Sequence, residues 1–86
     1  MSDLVSLREE INQITKEMVN LFEKRLDVSK KIALYKKQHD LPIFQPEREK
    51  EVIEKYTQDA KYHELTEKFL VDLMALSKEL QKEEMK

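Results

Sequence analysis

Apolar residues recur at alternating steps of three and four through Leu4, Leu7, Ile11, Ile14, Met18 and Leu21, and again at Val28, Ile32 and Tyr35. That spacing keeps one face of an α-helix apolar. It predicts a first helix over about residues 3–39, capped by Ser2 or Asp3, with Glu9 and Glu10 near its positive end. At ~1.5 Å per residue such a rod is about 55 Å long. A compact chain of 86 residues cannot cover it, so its exposed half calls for a second chain. Asp40 and Pro42 end the series, because a residue before proline disfavours helix.

HDLPIFQPERE reads as a connection. Pro46 suits the first position of a second helix, and Glu47 and Glu49 favour its dipole. Val52, Ile53 and Tyr56 give that helix one apolar face to about residue 60. A third helix is expected over 64–82, with Leu65, Phe69, Leu70, Leu73, Leu76 and Leu80 as its stripe. The KEEMK tail is expected to fray. No segment alternates like a strand. The reading is all-α, one domain over residues 1–86, with one long helix and two shorter ones.

Composition narrows the function classes. Charged and hydrophobic residues each make up 40% of the chain, with no glycine, which fits long helices with solvated outer faces. A net charge of -2 argues against bulk nucleic-acid binding. Without cysteine there is no disulfide and no thiolate metal site. No apolar run approaches the ~20 residues of a membrane span, and no secretory apolar stretch opens the chain. A cytoplasmic location is the expectation. His39 and His63 are lone residues in polar surroundings, expected at the surface, and no metal or cofactor site is expected.

One position breaks the pattern. Arg25 stands in KRLDVSKKIALYK where the apolar series is due. Lys36 lies eleven residues on, about three turns and ~16 Å along the same face. Ser29, Ile32 and Ala33 lie between, two of them small. A cation at each end of a small space suits a compact anion. A plainer reading is a buried ion pair or a polar residue that fixes the register of a helical dimer. Ser77 and Gln81, four apart, put a hydroxyl and an amide on one face of the third helix. They also read as ordinary boundary positions, as Arg48 and Glu49 read as a capping turn with a solvated ion pair. Arg8 is seventeen residues from Arg25, about 26 Å away on a straight helix. The two could meet one ligand only if the first helix paired antiparallel with its copy.

LREEINQI, EKRLDVSKKIALYK, QPERE and SKELQ, in this order, resemble the all-helical class of chorismate mutases over nearly the whole chain. They are similar to that family's LRxxIDxI, ERxxLxxxIxxxK, DPxRE and SxxxQ motifs. Asn12 and Gln45 stand where the family usually has aspartate. The resemblance implies an intertwined homodimer with two equivalent sites that share the long helix. It implies that Arg25, Lys36, Arg48, Glu49, Ser77 and Gln81 come from one chain and Arg8 from the partner chain. Arg8 and Arg25 would bind the two carboxylates of chorismate. Lys36 and Gln81 would donate to its ether oxygen, Glu49 would accept from the ring hydroxyl, and Ser77 would help hold the ring carboxylate. Arg48 would orient the site.

The implied activity is an isomerase turning chorismate into prephenate on the route to phenylalanine and tyrosine. The rearrangement is intramolecular and needs no nucleophile, metal or cofactor. Catalysis would rest on Arg25, Lys36 and Gln81. Two alternatives stay open: an isochorismate–pyruvate lyase of the same fold, and a non-catalytic helical dimer with a regulatory role. Docking to another aromatic-pathway enzyme is compatible with the sequence but not specified by it. No separate regulatory domain is expected within these 86 residues.

Overall fold

The computed structural model describes residues 3–85; Ser2, the other candidate cap, and Lys86, the end of the tail, lie outside the described residues. Three helices follow one another: α1 (Leu4–Gln38), α2 (Pro46–Thr57) and α3 (His63–Met85). There is no strand among the described residues. Asp3 caps α1, its Oδ1 accepting from the Ser6 N–H at 2.8 Å, and that bond holds its carboxyl below the usual carboxylate range. Gln45 precedes Pro46 without any side-chain cap bond, so the glutamine forgoes what an aspartate there could supply.

The end of α1 has a device beyond Pro42. Asp40 adopts φ 53, in the left-handed region, while the Leu41 N–H reaches back to the Lys36 carbonyl at 2.8 Å. This is a Schellman ending, in which one left-handed residue turns the chain and satisfies a terminal carbonyl. Aspartate tolerates that conformation better than most residues, and glycine tolerates it best. Asp40→Gly is therefore expected to keep or raise stability, and Asp40→Val to lower it by about 1–2 kcal/mol. Urea unfolding followed by circular dichroism measures both.

α2 ends at Thr57, earlier than its sequence pattern suggests. The Thr57 hydroxyl bonds back to the Ile53 carbonyl, and the Ala60 N–H turns onto the Thr57 carbonyl. α3 starts at His63 and runs to Met85, so most of the expected fraying tail is helical. Arg25 and Ser29 of α1 meet Ser77 of α3, and Lys36 meets Gln81, so α1 and α3 run in the same direction. Glu49, at the start of α2, meets Lys78 near the end of α3, so α2 runs against α3. α3 packs on both other helices.

The result is a plank rather than a ball, 56 × 25 × 14 Å, with a radius of gyration of 16.2 Å. A compact chain of this length would have about 12 Å. Ala33 and Met74 are the buried hydrophobic residues, while Leu4, Leu7, Ile11, Ile14, Met18 and Leu21 are all exposed. None of the described residues covers the first half of α1. The apolar stripe of α3 also differs from its sequence reading. Met74, Ser77 and Gln81 are buried and Leu70, Leu73 and Leu80 flank them, but Leu65, Phe69 and Leu76 are exposed. No helix is long and apolar enough to cross a membrane among the described residues.

Candidate active site

Two adjacent faces of α1 explain the position of Arg25. An ideal helix drifts by ~20° per heptad against a 3.5-residue repeat, so the apolar seam rotates slowly round the rod. By its C-terminal half the seam has moved to Val28, Ile32 and Tyr35, all exposed. The face turned to α3 there carries Ser29, Ala33 and Lys36, all buried, with Arg25 at its edge. Arg25 thus sits where the seam and the α3-facing side diverge.

A cavity of about 450 Å³ opens at that divergence, between α1, the 39–45 connection, the first turns of α2 and the last turns of α3. Arg25, Lys36, Arg48, Glu49, Ser77 and Gln81 all line it. Val28, Ile32, Ile43, Val52 and Met74 supply an apolar wall. Arg8 is not part of this lining; it lies on the exposed first half of α1.

The polar groups are fixed in two clusters. At one end the Arg25 Nη1 donates to the Ser77 Oγ at 2.9 Å, and Ser77 shares a second hydrogen bond with the Ser29 hydroxyl. Arg25 has no carboxylate partner among the described residues, so the ion pair that would make it a plain structural cation is not formed within the chain. At the other end the Lys36 Nζ donates to the Gln81 Oε1 at 2.9 Å and to the Ile43 carbonyl at 2.8 Å. An ammonium has three protons, so one remains for a ligand. Because Gln81 accepts through its oxygen, its NH₂ is free to donate. Lys36 is only 9% exposed. Burial pushes its pKa below the usual lysine value of 10.5, and the nearby Glu49 charge works against that shift.

On the α2 side, Glu49 pairs with Lys78 at 3.0 Å, both side chains about a quarter exposed. The Lys78 ammonium lies 4.5 Å from the centre of the Phe44 ring. Arg48 turns outward to Glu51 at 3.6 Å, and both are well exposed. That contact is worth little, so Arg48 remains free to swing inward.

Sequence reasoning missed three contributors. Lys78 lies four residues after Met74 and three before Gln81, which places it on the pocket stripe once Met74 is recognised as part of that stripe. Ser29 entered the sequence reading only as a small residue, yet it anchors Ser77. The Ile43 carbonyl carries no side-chain signal at all. His39 stacks on Tyr35 at the end of α1, and no group of three or more His, Asp or Glu residues is placed to hold a metal ion among the described residues.

The lining therefore carries four cations against one carboxylate, with neutral donors between them. Such a cavity suits a small, multiply charged anion, gripped at its ends and offered hydrogen bonds in its middle.

Comparison with known proteins gives the same direction. Residues 7–82 match the family described as chorismate mutase type II. The T-protein of Haemophilus influenzae is 45% identical over 49 residues, which is 57% of this chain and 13% of that protein. The bifunctional chorismate mutase/prephenate dehydratase of Aquifex aeolicus is 42% identical over 55 residues, 64% of this chain and 15% of that protein. The 4-amino-4-deoxychorismate mutase of Streptomyces venezuelae is 33% identical over 72 residues, 84% of this chain and 70% of that protein. The chain thus spans only a small part of the first two relatives. No solved structure matches it. With the match running from the first turn of α1 to the last turns of α3, across every helix that lines the cavity, the chain belongs to the chorismate mutase type II family.

Proposed function

We propose that the cavity binds chorismate and converts it to prephenate, as a cytoplasmic step toward phenylalanine and tyrosine. The observation that carries this reading is the excess of cations, four against one carboxylate, around a cavity of small-metabolite size. In the reaction one C–O bond breaks and one C–C bond forms within the same molecule, so no proton or electron has to be exchanged. Catalysis then reduces to holding the enolpyruvyl arm over the ring and stabilising negative charge on the ether oxygen. Arg25 takes one carboxylate, with Ser77, itself anchored by Ser29, holding its guanidinium and bordering the ring carboxylate. Lys36 and the Gln81 amide donate to the ether oxygen. Glu49 accepts from the ring hydroxyl, and Arg48 closes the α2 side.

The remaining carboxylate is assigned to Arg8, which lies ~26 Å from Arg25 along α1 and so cannot reach the cavity of its own chain. Arg8 of a second copy reaches that carboxylate if two α1 seams pair antiparallel. The exposed series from Leu4 to Leu21 is the surface such a homodimer would bury. Each copy then completes the other's site.

Incubating the purified chain with chorismate and identifying the product tests the reading. Prephenate is expected, and Arg25→Met should lose turnover by 10²-fold or more while the helical fold survives. Prephenate absent, or Arg25→Met stabilised with no activity to lose, would favour a non-catalytic dimer, since an apolar side chain there avoids the desolvation cost of a part-buried, unpaired charge. Salicylate and pyruvate formed from isochorismate, without prephenate from chorismate, would make the chain a lyase.

A further inference from the structure

We infer that Lys78 is a specificity-determining residue: paired with Glu49 in the cavity wall, it makes the site select a ring hydroxyl over a ring ammonium. The inference rests on the chorismate reading and deepens it. Lys78 is in contact with both oxygens of Glu49, at 3.0 and 3.3 Å. Phe44 lies against its ammonium and holds it there. Arg48, the other cation on this side, is turned away to Glu51, and Lys36 acts on Glu49 only through its charge, so Lys78 is the cation in direct contact with Glu49.

Compensation changes what Glu49 can accept. A carboxylate has about four lone-pair positions, so one bridged by an ammonium can still accept a hydrogen bond from a neutral hydroxyl. A substrate ammonium directed at the same carboxylate gains far less. It meets a charge already neutralised and is placed beside a second cation, which repels it in a partly buried setting. With a neutral residue at position 78, Glu49 would lose its contacting cation and keep only the longer-range charge of Lys36, which leaves it a better partner for a substrate cation. The analogue that separates the two cases is 4-amino-4-deoxychorismate, the compound for which the Streptomyces relative is named, with an amino group in place of the ring hydroxyl.

The test is direct competition. Chorismate and 4-amino-4-deoxychorismate are mixed at equal concentration and the ratio of their rearranged products is read as the ratio of kcat/KM. Lys78→Met is compared with the unaltered chain and with Lys78→Arg, and thermal melts confirm that each is folded; Lys78→Gln replaces the methionine variant if that one fails to fold. The neutral variant is expected to shift the ratio toward the amino compound by tenfold or thereabouts, and Lys78→Arg to leave it within a factor of two. A shift under fivefold in the neutral variant, or an equal shift in Lys78→Arg, overturns the assignment. If the unaltered chain converts no chorismate, the functional reading falls and this inference with it. If it converts chorismate and only the ratio fails to move, the role of Lys78 alone is lost.

Discussion

Replacing Lys36 with methionine is expected to lower kcat by 10²–10³-fold, about 3–4 kcal/mol, while the helical fold is retained. Methionine fills nearly the same space without the charge. The loss should appear in kcat because, in the proposed reaction, the ammonium would act on charge that develops only as the C–O bond stretches. It should not add to the loss in Gln81→Ala. Lys36 donates to the Gln81 oxygen and so fixes the amide that would deliver the second donor. Removing either disturbs both, and the double variant should be less impaired than the two single losses multiplied.

The same residue sets a pH dependence whose sign follows from burial. In the proposed reaction the protonated amine is the working form, and burial lowers its pKa from 10.5. Activity is therefore lost as pH rises through that lowered value, and the alkaline limb of kcat/KM should fall below the ordinary lysine range. Lys36→Arg, whatever its residual rate, should lack this limb, since guanidinium stays protonated. For stability the sign reverses. Between the folded and unfolded pKa values the unfolded chain binds more protons, so stability rises with pH there. Charged Lys36 thus costs stability at neutral pH, a cost that the proposed role in the cavity would account for. An alkaline limb at or above 10.5, or a kcat within tenfold of the unaltered chain in Lys36→Met, would remove the ammonium from the chemistry.

Periodicity made the helices and their order legible, because long 3-4 spacing and two prolines leave few other solutions for 86 residues. It also made Arg25 conspicuous, as the one polar entry in an apolar series. What spacing could not separate was which apolar face of α3 meets its own chain. The leucine stripe is the more hydrophobic face, yet Met74, Ser77 and Gln81 are the residues buried within the chain. Here polar side chains turn into the cavity while Leu65, Phe69 and Leu76 are exposed, which inverts the usual rule. The Asp40 turn was hidden for another reason. A left-handed residue is announced by glycine or asparagine, and here an aspartate takes the role. That turn brings the Ile43 carbonyl to Lys36 and Phe44 to Lys78, so the least legible segment supplies the wall that the two lysines lean on.

Mixing Arg8→Ala chains with Arg25→Ala chains is expected to restore turnover that neither has alone. In the proposed dimer, each single-variant pair would carry the same defect in both sites and should be at least 10²-fold impaired. In a heterodimer one site receives intact Arg25 from one chain and intact Arg8 from the other, while both defects fall in the second site. Free exchange at equal concentration makes about half the dimers mixed, each with one of two sites intact, so about a quarter of full activity should return. The physical basis is length. Arg8 is ~26 Å from Arg25 along a straight α1, beyond the reach of both side chains together. An antiparallel twofold pairing of the exposed seams is what would bring them to one ligand, and it would bury the apolar series that the single chain leaves open to water. Exchange is verified by mass spectrometry of differently tagged chains. Confirmed mixed dimers without recovered activity would show that Arg8 serves its own chain or none, and the shared site would have to be abandoned.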